Sequence, residues 1–128
     1  MFKVSFDMKV VQDNVNRILN KKIAVTEYTE VKDEIAGEYA KAISKYVPYK
    51  TGRLMNSAKV EDGAVTYSVK VNRPDGRFDY APVQYYTPFE NRSTPNTYDH
   101  WNKHLTTAER QEFYEDVKDI IVERMNHG

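Results

Sequence analysis

Hydrophobic and polar residues alternate at the start of the chain, with Phe2, Val4, Phe6, Met8 and Val10 set against Lys3, Ser5, Asp7 and Lys9. A period of two predicts a half-buried strand over residues 2 to 10. Asp13 then stands where it can cap a helix carrying Val15, Ile18 and Leu19 on one side, with Lys21 and Lys22 near its end. From about Thr26 to Tyr46 the period becomes helical: Tyr28, Val31, Ile35, Tyr39, Ala42, Ile43 and Tyr46 share one stripe. Pro48 ends this helix, because its ring cannot continue the ladder and it biases Val47 away from helical angles. Tyr28, Tyr39 and Tyr46 line three hydroxyls along the stripe. Two readings are open, a core helix whose Tyr tips reach solvent and a ridge that faces a partner.

Tyr49-Lys50-Thr51-Gly52-Arg53-Leu54 reads as a turn, with Gly52 the residue best able to take a positive φ. Ala64 to Asn72 alternates again, Val65, Tyr67, Val69 and Val71 against Thr66, Ser68, Lys70 and Asn72, and predicts a strand. Arg73-Pro74-Asp75-Gly76-Arg77 is a turn, and Phe78 to Tyr86 a returning strand, so the two form a hairpin with Pro82 at an edge or bulge. Residues 87 to 105 show no period and hold Pro88 and Pro95, which predicts a long loop. Thr106-Thr107-Ala108-Glu109 fits a capping box before a last helix that turns Phe113, Val117, Ile120, Ile121 and Met125 inward. Its outer side carries a net acidic charge. The sum is one α+β domain over residues 1 to 128: a small antiparallel sheet packed against a long helix in the N-terminal half and a C-terminal helix.

Composition narrows the function. The chain has 128 residues, 19 basic and 19 acidic, and no Cys, which excludes disulfides, thiolate metal sites and Cys nucleophiles. The balance hides a gradient, net +4 over residues 1 to 60 and net −4 over residues 61 to 128. Such polarity suits pairing within the fold or between identical neighbours. Ten Tyr against five Phe and one Trp give a surface large contact area without insolubility, which favours an interaction protein. Neither a signal-peptide region nor a membrane-length apolar run is present, so the expected setting is cytosolic, with no membrane partner.

Candidate chemistry is sparse. His100 and His104 stand four apart beside Asp99, a metal-ligand spacing if the segment is helical, but the Glu that a zinc hydrolase needs after its first His is absent. The same His, with Tyr85, Tyr86 and Arg92, can be assembled into a small ribonuclease-like acid–base site, although no spacing compels it. Lys41, Lys45, Lys50, Arg53 and Lys59 make a candidate phosphate patch with Tyr46 and Tyr49 for stacking. Glu34 and Glu38 precede the first two at pairing distance, and a solvated ion-paired face explains the same pattern. No phosphate loop, dinucleotide fingerprint or Ser nucleophile elbow is present, so no cofactor is expected. Trp101, at the junction of loop and last helix, is expected to plug the loop onto the core.

Val47-Pro48-Tyr49-Lys50-Thr51-Gly52-Arg53-Leu54-Met55-Asn56-Ser57-Ala58, then a Val-rich strand, then Tyr80-Ala81-Pro82-Val83-Gln84-Tyr85-Tyr86 resembles the minor capsid or neck protein family of long-tailed bacteriophages. In that family a helix ends in a P-x-x-T-G-x-L turn. A later strand carries a Y-A-x-x-Q-Y segment, before a variable loop with a Trp and a closing helix. The resemblance runs in order over nearly the whole chain. It implies a non-enzymatic virion protein of the head–tail connection, assembled in the host cytoplasm and forming part of a homo-oligomeric ring, sixfold or twelvefold. Portal, adaptor or stopper proteins would lie on the head side, a tail terminator or tail tube on the other, and phage DNA would pass through without sequence-specific binding. Pro48, Thr51, Gly52 and Leu54 carry over as a structural turn, and Tyr80, Ala81, Gln84 and Tyr85 as the second motif. Tyr80, Gln84, Tyr85, Tyr86, Arg92 and Trp101 are the candidate assembly interface. A tail terminator is the alternative within the same class, and a small His/Tyr/Arg nuclease the alternative outside it.

Overall fold

The computed structural model describes residues 2–47, 53–73, 76–79, 81–86 and 101–127, with the backbone alone at 53, 70–73, 76–79, 83, 84 and 127. Strand β1 is short, Phe2–Val4, and the expected strand to residue 10 gives way to helix α1, Met8–Leu19. The Asp7 side chain accepts from the Lys9 backbone N–H at 3.0 Å and caps the helix. Met8, Val11, Val15 and Leu19 then form an inward stripe, and Val10, assigned to the core by alternation, is exposed. Because Phe6, Met8 and Val10 fit a strand while Met8, Val11 and Val15 fit a helix, the cap at Asp7 rather than Asp13 selects between the two periods. The helix closes at Asn20 in the left-handed region, φ 51°, where its N–H reaches the Arg17 carbonyl.

The single helix expected over 26 to 46 is divided into α2, Val25–Glu30, and α3, Lys32–Ile43, with a 3₁₀ turn at Ser44–Tyr46. Four β-branched residues, Val25, Thr26, Thr29 and Val31, weaken helix propensity at the join. Val31 leaves helical angles there, and the ladder resumes where Ile35 N–H meets the Val31 carbonyl at 3.0 Å. The apolar stripe survives the break: Tyr28, Val31, Ile35, Tyr39, Ile43 and Tyr46 are all buried.

A short helix α4, Arg53–Asn56, leads to a hairpin that the hydrophobic pattern alone did not reveal, β2 Lys59–Glu61 and β3 Ala64–Tyr67. Its turn is Asp62-Gly63, with φ 51° and 76°, the Asp-Gly signature of a two-residue hairpin loop. Two contacts fix the turn to α3: Lys32 Nζ meets Asp62 at 2.6 Å, and Gly63 N–H donates to Asp33 Oδ1 at 2.7 Å. A Cβ at Gly63 would be strained by the positive φ and would press on the Lys32 side chain at 3.3 Å. The sheet order is β1-β3-β2, all antiparallel, with Phe2 opposite Tyr67 and Val60 opposite Val65.

The strand expected over 64 to 72 is cut at Ser68 and Val69. Its second half becomes β4, Lys70–Arg73, which pairs with β5, Gly76–Asp79, in a separate two-stranded ladder. This is the expected 64–86 hairpin in shortened form, and it pairs with neither edge of the three-stranded sheet. The returning strand ends at Asp79, and residues 81–86 form helix α5, Ala81–Tyr86. Pro82 accordingly sits in a helical first turn, where its missing N–H is not needed, rather than at an edge strand or bulge. After a 3₁₀ turn at Trp101–Lys103 comes helix α6, Thr107–His127. Phe113, Val117 and Ile121 are buried and Ile120 half-buried as expected, but Met125 is exposed.

The architecture is α+β: α3 lies against β2 and β3, and α6 packs on α1, α2 and α3. Among the described residues no helix is long and apolar enough to cross a membrane.

Candidate functional site

The three Tyr hydroxyls of the α2–α3 stripe do not reach solvent. Tyr28 donates to Asn16 Oδ1 at 2.7 Å, Tyr39 to the Asn102 carbonyl at 3.4 Å, and Tyr46 to Glu109 Oε1 at 2.5 Å. Burial, and secondarily the Asp13 charge, pushes the Tyr28 hydroxyl up to about 12. These residues tie α1, the 3₁₀ turn and α6 to one stripe, so the partner-facing ridge is overturned, and so are the solvent-reaching tips.

Of the phosphate patch, the members with described side chains are Lys41, Lys45, Lys59 and Tyr46, and two of the cations are already paired. Lys41 pairs with Glu38 at 3.2 Å, and Lys45 pairs with Glu109 while lying 5.4 Å from the centre of the Tyr46 ring. Tyr46 itself is buried, which removes it as a stacking platform, and Lys59 is exposed on β2. Lys50 and Tyr49 lie outside the described residues, as does the Arg53 side chain. Glu109 is the centre of the capping box: it accepts from the Thr106 N–H at 2.8 Å while its own N–H meets Thr106 Oγ1 at 3.1 Å. Lys45 first, then the Thr106 N–H and the Tyr46 hydroxyl, hold its carboxyl down to about 2. His104 follows the 3₁₀ turn and rests against Tyr46, with ring centres 6.4 Å apart. Asp99, His100 and Arg92 lie outside the described residues, and among those described no group of three or more His, Cys, Asp or Glu is placed to hold a metal ion.

Of the candidate interface, two members belong to the core. Trp101 is completely buried, its ring 4.9 Å from Tyr85, 5.2 Å from Tyr67 and 6.1 Å from Phe2, mostly edge-on. Tyr85 is buried between Phe2 and Trp101, and its hydroxyl donates to Asn102 Oδ1. The Tyr67 hydroxyl and the Trp101 indole N–H are both buried in this cluster. These residues cannot meet another molecule while the fold is intact, so Tyr85 and Trp101 are corrected from interface to anchor. Tyr86 is the opposite case: it is 61% exposed, stacked edge-on against Tyr85 at 5.0 Å and Phe2 at 5.7 Å. Gln84 contributes its backbone to α5. Tyr80, Pro48, Thr51 and Gly52 lie outside the described residues, and Leu54, the remaining turn residue, is buried on α4.

Two further surfaces have no counterpart in the sequence motifs. Between α3 and α6 runs a groove of about 630 Å³ floored by Val31 and Ile120 and walled by carboxylates from both helices. At the far end of α6, Lys21, Lys22 and Met125 border a hollow of about 340 Å³. The helical spacing of Glu34 with Glu38 and of Asp116 with Asp119 marks each wall, but nothing local tells that the walls face each other. No family model, curated protein or solved structure matches the chain.

Proposed function

We propose that this chain is a structural protein of the bacteriophage head–tail connection, a neck subunit that joins the portal side of the capsid to the tail within a ring and lets DNA pass. The motif resemblance motivates the reading. The observation that carries it is the form of the second motif: α5 is bolted to the core through Tyr85, Phe2 and Trp101, and the next residue, Tyr86, is held outward on that mount. A rigid, amphipathic aromatic presented by a preorganised short helix suits a protein contact, since little side-chain freedom is lost on binding.

The test is genetic. Removing the gene from a phage that carries it should leave filled heads and complete tails unjoined, and the wild-type gene in trans should restore infectivity while Tyr86→Ala restores much less. Normal joined particles without the protein would reject the reading.

A further inference from the structure

The two surfaces that the motifs do not account for have opposite charge and meet at one residue. In the groove, Glu34 and Glu38 of α3 face Asp116, Asp119 and Glu123 of α6. Arg124 at its border is engaged by Glu27 at 2.8 Å and by Glu30, while Lys41 meets Glu38 at 3.2 Å and Lys118 meets Asp119 at 2.7 Å, and the walls stay net acidic with five carboxylates against these cations. Desolvation, and then the neighbouring Glu38, Glu112 and Asp119, raise the Asp116 carboxyl above its ordinary value, as expected for like charges gathered across a partly dry seam. In the adjoining hollow, which Arg124 also borders, neither Lys21 nor Lys22 has a carboxylate in ion-pair reach among the described residues. Beside them Met125 is 40% exposed, and Val25, at the start of α2, is 61% exposed. One patch is therefore basic with exposed apolar side chains, and the other acidic with an apolar floor.

Complementary patches on opposite sides of a subunit generate a head-to-tail ring or filament, whereas adjoining patches that face the same way are self-complementary about a twofold axis. These two share Arg124. We infer that this face binds a second copy of the chain about a twofold axis, each copy setting its Lys21–Lys22 end, with Val25 and Met125, into the other's α3–α6 groove. Both charge contacts form at once, twice over, and the exposed apolar side chains meet the half-buried Ile120 of the other copy. The inference does not rest on the neck reading: Tyr86 and its mount lie toward the N-terminal end of α6, so a ring built there leaves the Arg124 end free.

The test uses the purified full chain in sedimentation equilibrium at low and high salt. Wild type should form a two-subunit species that weakens as salt screens the contact. Lys21→Glu with Lys22→Glu, and separately Glu34→Lys with Asp119→Lys, should each weaken association by at least about tenfold. All four positions are exposed, and circular dichroism melts should match wild type. Mixed in equal amounts, the two variants should associate more tightly than either does alone, because the Lys21–Lys22 end of one meets the unaltered groove of the other, and should stop at two subunits. A wild type that stays monomeric overturns the inference. Reversals that leave dimerisation unchanged, or a mixture that grows past two, do the same.

Discussion

The two ends of α6 are held by different physics. At its N-terminal end Phe2, Tyr67, Tyr85 and Trp101 interlock beneath α5, and the Thr106–Glu109 box adds Tyr46 and Lys45 to one carboxylate. At its C-terminal end Arg124 reaches Glu27 and Glu30 of α2 through partly exposed ion pairs, and Met125 turns outward. Dry aromatic packing contributes several kcal/mol per side chain, whereas solvated pairs typically contribute about 0 to 1 kcal/mol. The first end fixes geometry and presents Tyr86 on a firm base. The second leaves charge and apolar surface available to another molecule.

Trp101→Ala breaks the strong end most severely. It should lower stability by about 3 to 5 kcal/mol in urea unfolding, because a large fully buried ring is lost at a junction of β1, β3 and α5. An effect below about 1 kcal/mol would show that the junction repacks and that the contrast between the ends is false.

Glu109→Ala should cost about 1 to 2 kcal/mol at neutral pH, the range of a lost helix cap together with its hydrogen bonds. Its pH dependence sharpens the point. A carboxyl held down to about 2 stabilises the fold fully above its ordinary value, and that contribution disappears as pH falls from there toward 2. Wild-type and Glu109→Ala unfolding midpoints should converge in acid. At the other extreme, Tyr28 prefers its neutral form up to about 12, so its contribution is complete below the ordinary Tyr value of 10.0 and is lost as pH rises toward 12. Tyr28→Phe should flatten that alkaline loss.

Arg124→Ala tests the weak end and should cost at most about 1 kcal/mol, since both partners remain hydrated when it is removed. The smallest stability effect belongs to Tyr86→Ala, within about 0.5 kcal/mol, as for other surface substitutions. If the neck reading holds, the same change still breaks head–tail joining. A melt shifted as far as that of Trp101→Ala would make Tyr86 part of the core.

Much of the fold was readable from local signals. The α2–α3 stripe, the capping box at Thr106 and the burial of Phe113, Val117 and Ile121 follow from helical spacing and from one Thr-x-x-Glu motif. Asp62-Gly63 also carried its hairpin in plain view, but β2 is three residues long, too short for alternation to register, and β3 was read as the start of a longer strand. The candidate site was less readable. Tyr85 and Tyr86 have the same side chain on neighbouring positions, and a strand reading would also have sent them to opposite faces, so chemistry and alternation do not identify the anchor. Asn102 and Phe2 do, and they lie 17 and 83 residues away in the chain.

By itself the amino-acid order determined most of the positions that had to be dry, the Thr106 cap of the last helix, and that this Cys-free chain carries opposite charge in its two halves. Tertiary structure alone decided that three Tyr hydroxyls point to Asn16, Asn102 and Glu109, and that carboxylates of α3 and α6 confront each other across a groove. The reason is physical. Periodicity constrains each face of an element separately, whereas hydrogen-bond partners and facing charges are set only when elements distant in sequence come into contact.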